Sequence, residues 1–417
     1  MDAHKDAHLQ ACNGIRVGED CATLDVASNT ATCAAPDAAT CATPTPAPDA
    51  ATCATPMPAP DAAQDEEQWV ASSDFFFYKK KKKGKFAQVE YPRLPMSVVD
   101  THTHFHMLPD PAFELARCAF HHVDFLGMIT DPSETGTSKA DALDTWLQRC
   151  SSEFLVHVDG AYQAPEVGII AGIHPHNARL FTPAVREQLC QLLVRVRCRA
   201  VGEVGLDYYY DLSPRDVQQQ VFREHIRLAH HFKLPIMLHL RDAELAADDS
   251  ALDTNDSEHV VAGESTANTS NDSERAANSL SPAITANAHA DALRILREEG
   301  FPEAGTIVHC CTLTADELRP FVEADCYIAY GGAFTFKKNE AVRRAMEIVP
   351  LNRLLTETDS PYMAPEPMRG TTCTPAHVIF NAYALAAWRA EALGESEMQV
   401  YQALWDNAHR ILRRRPS

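Results

Sequence analysis

Eight short β-branched runs, helical spacing between them and a metal-competent residue at the end of several runs predict an α/β chain folded as a (β/α)8 barrel. The runs begin near Ser97, Val123, Val167, Ala200, Pro235, Gly305, Tyr327 and Arg353. Segments between them carry helical periodicity. From Pro214 to Phe232, Val217, Val221, Ile226, Leu228 and Ala229 can share a buried face while Arg215, Arg223 and Arg227 stay in water. Two further helical segments, Pro375 to Leu393 and Glu397 to Leu412, close the chain.

Ahead of the barrel, residues 1–95 are expected to be a low-complexity, disordered extension. The text APDAATCATPTP, Ala35 to Pro46, returns as APDAATCATPMP from Ala47 to Pro58. This Ala/Pro/Thr duplication lacks the bulky side chains that offset chain entropy. Cys41 and Cys53 recur one per copy without a His partner, so duplication without function is the reading. Phe75-Phe76-Phe77-Tyr78 then meets Lys79 to Lys83 and Lys85. Such a run can be a nuclear address or a phosphate patch. The plainer expectation is a solvated tail or translated non-coding sequence.

The barrel is expected over residues 96–413, interrupted by a disordered acidic insertion over 246–290. That stretch is mostly Asp, Asn, Ser, Thr and Ala, and it follows the fifth strand, on the face where barrel enzymes keep their chemistry. Neutral loop expansion is favoured over a gate, because long surface insertions cost little closure entropy.

Composition narrows the setting. Over 417 residues, 37 basic and 57 acidic side chains leave a net charge of −20, which disfavours broad adhesion to nucleic acid or anionic lipid. Any nucleic-acid contact must be local. Thirteen cysteines are spread along the chain and several, including Cys310, Cys311 and Cys326, lie in apolar runs, which fits a reducing compartment. No apolar stretch approaches the roughly 20 residues of a membrane helix. Residues Met1 to Cys21 show neither a signal nor a transit pattern, so a cytoplasmic or nuclear location is expected.

The chemistry is written at the strand ends. Asp100-Thr101-His102-Thr103-His104 places two imidazoles two residues apart, hence on one face. Glu203, His239, His309 and Asp359 stand at the ends of four later runs. Four His, one Glu and one Asp suit two borderline cations sharing a carboxylate. A buried structural His would explain any one of them, but unpaired polar groups at five strand ends would be costly.

Together these segments resemble the TatD family of metal-dependent deoxyribonucleases, from about Met96 to Leu412. The resemblance rests on DTHTH, GIHPH (Gly172 to His176), VGEVGLDYY, LPIMLHLRDA, VHCC, YGGAFTFKK and LTETDSPYM. It implies a TIM barrel in which His102, His104 and Asp359 hold one metal, His239 and His309 the other, and Glu203 bridges. Departures are Leu240, where the family has a small polar residue; Cys311, where it commonly has Phe; and Thr372 to Pro375, where an Arg-Asn-Glu-Pro-like segment is usual.

The implied reaction is two-metal phosphodiester hydrolysis, as a 3′-to-5′ exonuclease on DNA and possibly RNA. Mg²⁺ or Mn²⁺ is expected from the carboxylates, with Zn²⁺ permitted by the imidazoles. Catalytic roles fall to Asp359 as general base and to Glu203, with Glu357 orienting Asp359. His174, His176 and Arg241 are the expected substrate contacts, with orientation of a ligand open as a second role for the two histidines, and Lys337 and Lys338 are expected to be solvated loop residues. Two other readings remain: a metal-dependent ester or amide hydrolase such as an aminoacyl-tRNA deacylase, and a non-catalytic scaffold. The residues leave the oligomeric state open.

Overall fold

The structure, a computed structural model, describes residues 72–81, 84–243 and 287–413. Eight parallel strands form one sheet in sequential order: β1 (Val98–Thr103), β2 (Val123–Thr130), β3 (Glu166–Ala171), β4 (Cys198–Asp207), β5 (Ile236–Arg241), β6 (Thr306–Val308), β7 (Tyr327–Tyr330) and β8 (Leu354–Thr356). Each starts within two residues of its expected place. The sheet curls into a TIM barrel whose seam closes beyond β8. There Asp359 N–H donates to His102 O at 3.0 Å and His104 N–H to Ser360 O at 2.7 Å.

Every strand is followed by a helix: α1 (Pro111–Phe120), α2 (Ser138–Arg149), α3 (Pro183–Leu193), α4 (Arg215–Phe232), α5 (Ala288–Glu299), α6 (Ala315–Glu323), α7 (Glu340–Met346) and α8 (Val378–Leu393); α9 (Glu397–Ile411) ends the fold. Local chemistry sets their starts. Asp110 accepts from the N–H groups of Ala112 and Phe113 ahead of Pro111, and Thr314 forms a capping box with Glu317. Val99, Ile170, Ala200, Met237, Ile307 and Leu355 make one apolar cluster with Ala408 and Ile411 of α9. That helix therefore covers the strand starts, leaving the strand ends as the open mouth.

The fold corrects two expected boundaries. The described residues between Phe75 and Pro95, expected in the extension, pack on the barrel. Phe75 is fully buried, stacked 5.3 Å from both Phe113 and Phe120, and Phe77 packs on His121, His377 and Phe380. An antiparallel hairpin, Tyr78–Lys80 with Phe86–Gln88, follows. Low complexity on one side and charge on the other obscured two rings, Phe75 and Phe77, whose burial removes a large apolar area from water. The tandem repeat lies outside the described residues.

The second correction is the end of the insertion. Asn287 caps α5 by accepting from Ala290 N–H, and Ala288 is buried, so residues 287–290 belong to the helix. Asp242 Oδ2 meets His289 Nδ1 at 2.9 Å, which holds the two flanks of the segment together. The insertion otherwise falls outside the described residues.

Buried histidines make the fold acid-sensitive. His225, on α4, is fully buried; its Nε2 accepts from Ile173 N–H at 3.1 Å, so its proton sits on Nδ1, which donates to Val221 O. Burial lowers it to about 4. The native state thus refuses a proton that the unfolded chain takes up below about 6.5. Stability is expected to be level above pH 6.5 and to decline as pH falls toward 4, by about 3 kcal/mol from His225 alone. His121 and His377, lowered by burial to about 4 and about 3, act in the same direction. Urea midpoints between pH 8 and pH 4.5 check this, and a flat profile would contradict it.

Candidate metal centre

Strand periodicity supplies the ligands and barrel closure brings them together. β1 carries His102, fully buried, next to its last residue, and His104 follows the strand with its imidazole facing the same point. Asp100 anchors this strand to the seam, accepting from Thr358 N–H at 2.8 Å, from Thr358 Oγ1 at 2.6 Å and from His102 N–H at 3.3 Å. Beyond β8, Asp359 adopts a left-handed backbone (φ 58°), which Asp tolerates better than most residues. In β4, Gly205 lets β5 approach: a Cβ there would stand 2.0 Å from His239 O.

Two convergence points result. At the first, His102 Nε2 lies 3.2 Å from His104 Nε2, 3.4 Å from Glu203 Oε2 and 3.5 Å from Asp359 Oδ1. At the second, His239 Nδ1 lies 2.6 Å from Glu203 Oε1, 3.3 Å from His174 Nε2 and 3.5 Å from His309 Nε2. His309 Nε2 is itself 2.8 Å from Glu203 Oε1. The two oxygens of Glu203 therefore face different points.

These donors fit cations. An imidazole nitrogen carries one proton and can satisfy one acceptor, yet each point gathers three or more lone-pair atoms. His102, His104 and Glu203, and likewise His174, Glu203 and His239, present ligand atoms all within 4.8 Å of one another. His102, His309 and Glu357 form a third such group, and Glu357 Oε2 is buried with no hydrogen-bond partner among the described residues.

Charge follows the same plan. Burial pushes the Glu203 carboxyl up, but His309, His174, His102 and His239 more than reverse it, holding it well below the usual range. Burial and His102 keep His104 well below its ordinary value, and burial with His239 lowers His174 to about 3, so both offer neutral nitrogens. Burial raises Asp359 to about 6 against the pull of His102 and His309.

The side chains of His102, His104, Glu203, His239, His309 and Asp359 meet here, and His174 stands with them, its Nε2 3.3 Å from His239 Nδ1. His176 is turned elsewhere: its Nε2 lies 2.8 Å from Asp207 Oδ2. Arg241 is exposed, its guanidinium 3.9 Å over the Tyr209 ring and 4.8 Å over that of Tyr210. Glu357 accepts from Cys310 N–H at 2.5 Å and lies 3.5 Å from His309 Nδ1, so it braces His309. Lys337 and Lys338 are exposed, as expected.

Asp207 is the residue that sequence reasoning passed over. Its Oδ2 meets His176 Nε2 and, at 3.2 Å, His239 Nε2, while Oδ1 accepts from Tyr209 and Tyr210 N–H. Burial raises it, but hydrogen bonds from His176 and His239 carry it far below the usual range. The available signal was period two: Glu203, Gly205 and Asp207 alternate along one strand toward one face.

Comparison with known proteins points the same way. The family model described as TatD related DNase matches residues 99–285 and 284–413. The uncharacterized metal-dependent hydrolase YcfH of Escherichia coli (strain K12) is 31% identical over 240 residues, covering 58% of this chain and 71% of its own. The 3′-5′ ssDNA/RNA exonuclease TatD of Musicola paradisiaca (strain Ech703) is 28% identical over 256 residues, 58% of this chain and 75% of its own. The crystal structure of the TatD homolog YJJV of Escherichia coli superposes with a TM-score of 0.54 at 22% identity, covering 76% of this chain and 97% of that one.

Proposed function

Because this chain belongs to the TatD-related DNase family of metal-dependent hydrolases, we propose that it is a nuclease that releases nucleotides from single-stranded DNA, 3′ to 5′, at a two-cation centre. The observation that carries the reading is the pair of convergence points sharing Glu203. Divalent cations held there supply Lewis acidity, lowering the pKa of a water and neutralising charge on the phosphate oxygens.

His102, His104 and Asp359 would hold one cation and His174, His239 and His309 the other, with Glu203 common to both. Asp359 takes the proton of the attacking water as general base; its Oδ1 stands 3.5 and 3.6 Å from the first pair of imidazoles and, unlike Glu203, it faces that point alone. Asp207 holds His239 in one orientation through Nε2. Asp100, locked to Thr358, fixes the seam on which His102 and Asp359 sit. Substrate contacts fall to the rim. Tyr209 and Tyr210, 37% and 52% exposed, lie beside Arg241, and Tyr362, 52% exposed, stands by His104. Exposed rings beside a guanidinium suit unpaired bases next to a phosphate.

The test is nucleotide release from end-labelled single-stranded DNA with Mg²⁺, Mn²⁺, Zn²⁺ or chelator. Stepwise, metal-dependent loss from the 3′ end is expected. A folded, metal-loaded protein that leaves the oligonucleotide intact but hydrolyses an aminoacyl ester would replace this reading with the deacylase.

A further inference from the structure

Six of the eleven lysines in this chain lie between residues 79 and 85, in a protein of net charge −20. Four of the six, Lys79, Lys80, Lys81 and Lys85, are described and are carried by the barrel. Phe75 and Phe77 are buried against α1 and α8, and Lys79 Nζ donates to Pro367 O at 2.9 Å. The hairpin then presents Lys80, Lys81 and Lys85 to solvent beside Phe86, 69% exposed, and Tyr78, 41% exposed. Pro367 belongs to the segment that leaves the mouth at Asp359, eight residues earlier, a span of at most about 28 Å. The groove next to the hairpin, about 770 Å³, sets Glu90, Glu366 and Glu391 against Arg93, Lys337 and Arg343. Positive field is therefore concentrated on the hairpin itself.

We propose that the lysine hairpin is an exosite for the phosphate backbone of a single-stranded nucleic acid whose end is processed at the metal centre; the processing, though not the binding, rests on the nuclease reading above. Lysines that track a backbone beside exposed rings are the pattern by which proteins bind single strands without sequence preference. An anionic membrane is the less suitable partner, because anchoring there needs a broad apolar face, and with Phe75 and Phe77 inside the fold the hairpin keeps only Phe86 and Tyr78 exposed. In a chain so acidic, the hairpin supplies a local attraction that the overall charge opposes.

The test compares the full chain with its Lys80→Gln, Lys81→Gln, Lys85→Gln variant, leaving Lys79 in place. Binding of a fluorescent DNA of about 30 nucleotides is read by anisotropy in chelator, where no turnover is needed. Affinity at moderate salt is expected to fall about tenfold or more, and the slope of log K against log salt to shrink by about 2. With metal, KM for the long strand rises while turnover of bis(p-nitrophenyl) phosphate, which has no further backbone phosphates to lie along the hairpin, is unchanged. Equal melting temperatures establish that the variant is folded. Unchanged affinity and salt slope would overturn the proposal, as would an equal loss on the small diester. Lysine-dependent binding to vesicles of about 30% phosphatidylserine, with DNA binding unaffected, would overturn it in favour of a membrane. Lysine-dependent DNA binding by a protein that cleaves no DNA would sink the nuclease reading and leave the exosite standing.

Discussion

Replacing Glu203 with alanine is expected to lower phosphodiester hydrolysis by about 10³-fold or more and to empty the centre of metal. Glu203 is the residue whose two carboxylate oxygens face both convergence points, Oε2 toward His102 and His104 and Oε1 toward His239 and His309. Alanine would remove the carboxylate that faces all five histidines of the buried site, leaving Asp359 as the anion at the first point and only imidazole nitrogens at the second, where Asp207 and Glu357 are turned to the far side of His239 and His309. Glu203→Gln separates charge from shape: it preserves packing but removes the negative charge that offsets two dications. Both variants should behave alike in activity and in metal content measured on the purified protein, while melting temperature in chelator stays near that of the parent for the glutamine form. Activity within tenfold of the parent would show that the shared carboxylate is not the heart of the site.

Asp207→Ala carries the second large effect, on metal affinity instead of on chemistry directly. With the carboxylate gone, His239 loses the partner that fixes its Nε2, and the turn through Tyr209 and Tyr210 loses two side-chain hydrogen bonds. Residues that orient a ligand typically contribute 10- to 100-fold in affinity, and a loss of roughly that size is expected here. Asp207→Asn should fall between, since it keeps one acceptor oxygen without the charge. Titration of metal-free protein with Mn²⁺ or Zn²⁺ measures both. An unchanged dissociation constant in the alanine variant would demote Asp207 to a loop anchor.

The six residues expected to bind metal were legible because each ends an apolar run, and a strand end is marked by a local change of texture. Asp207 was not legible in the same way. It lies in a run that also contains Glu203, and what distinguishes it is the arrival of His176 and His239 from two neighbouring elements. His174 was visible as a histidine after the third strand, but whether it faces substrate or a ligand depends on where the turn after β3 delivers its ring. Phe75 and Phe77 show the opposite failure. A short aromatic run between a repeat and a lysine block carries no periodicity, so its burial against α1 and α8 could not be read from composition.

The sequence by itself determined the eight strands, the helices between them, the chemical type of the ligands and the family, because those are encoded in spacing along the chain. Only the tertiary structure decided that Glu203 faces two points, that Asp207 meets His239, and that the hairpin of Lys79, Lys80 and Lys85 is mounted on the barrel. These are relations between atoms of distant residues, fixed by strand register, by seam closure at Asp359 and by ring packing, all of which come into being when the barrel closes.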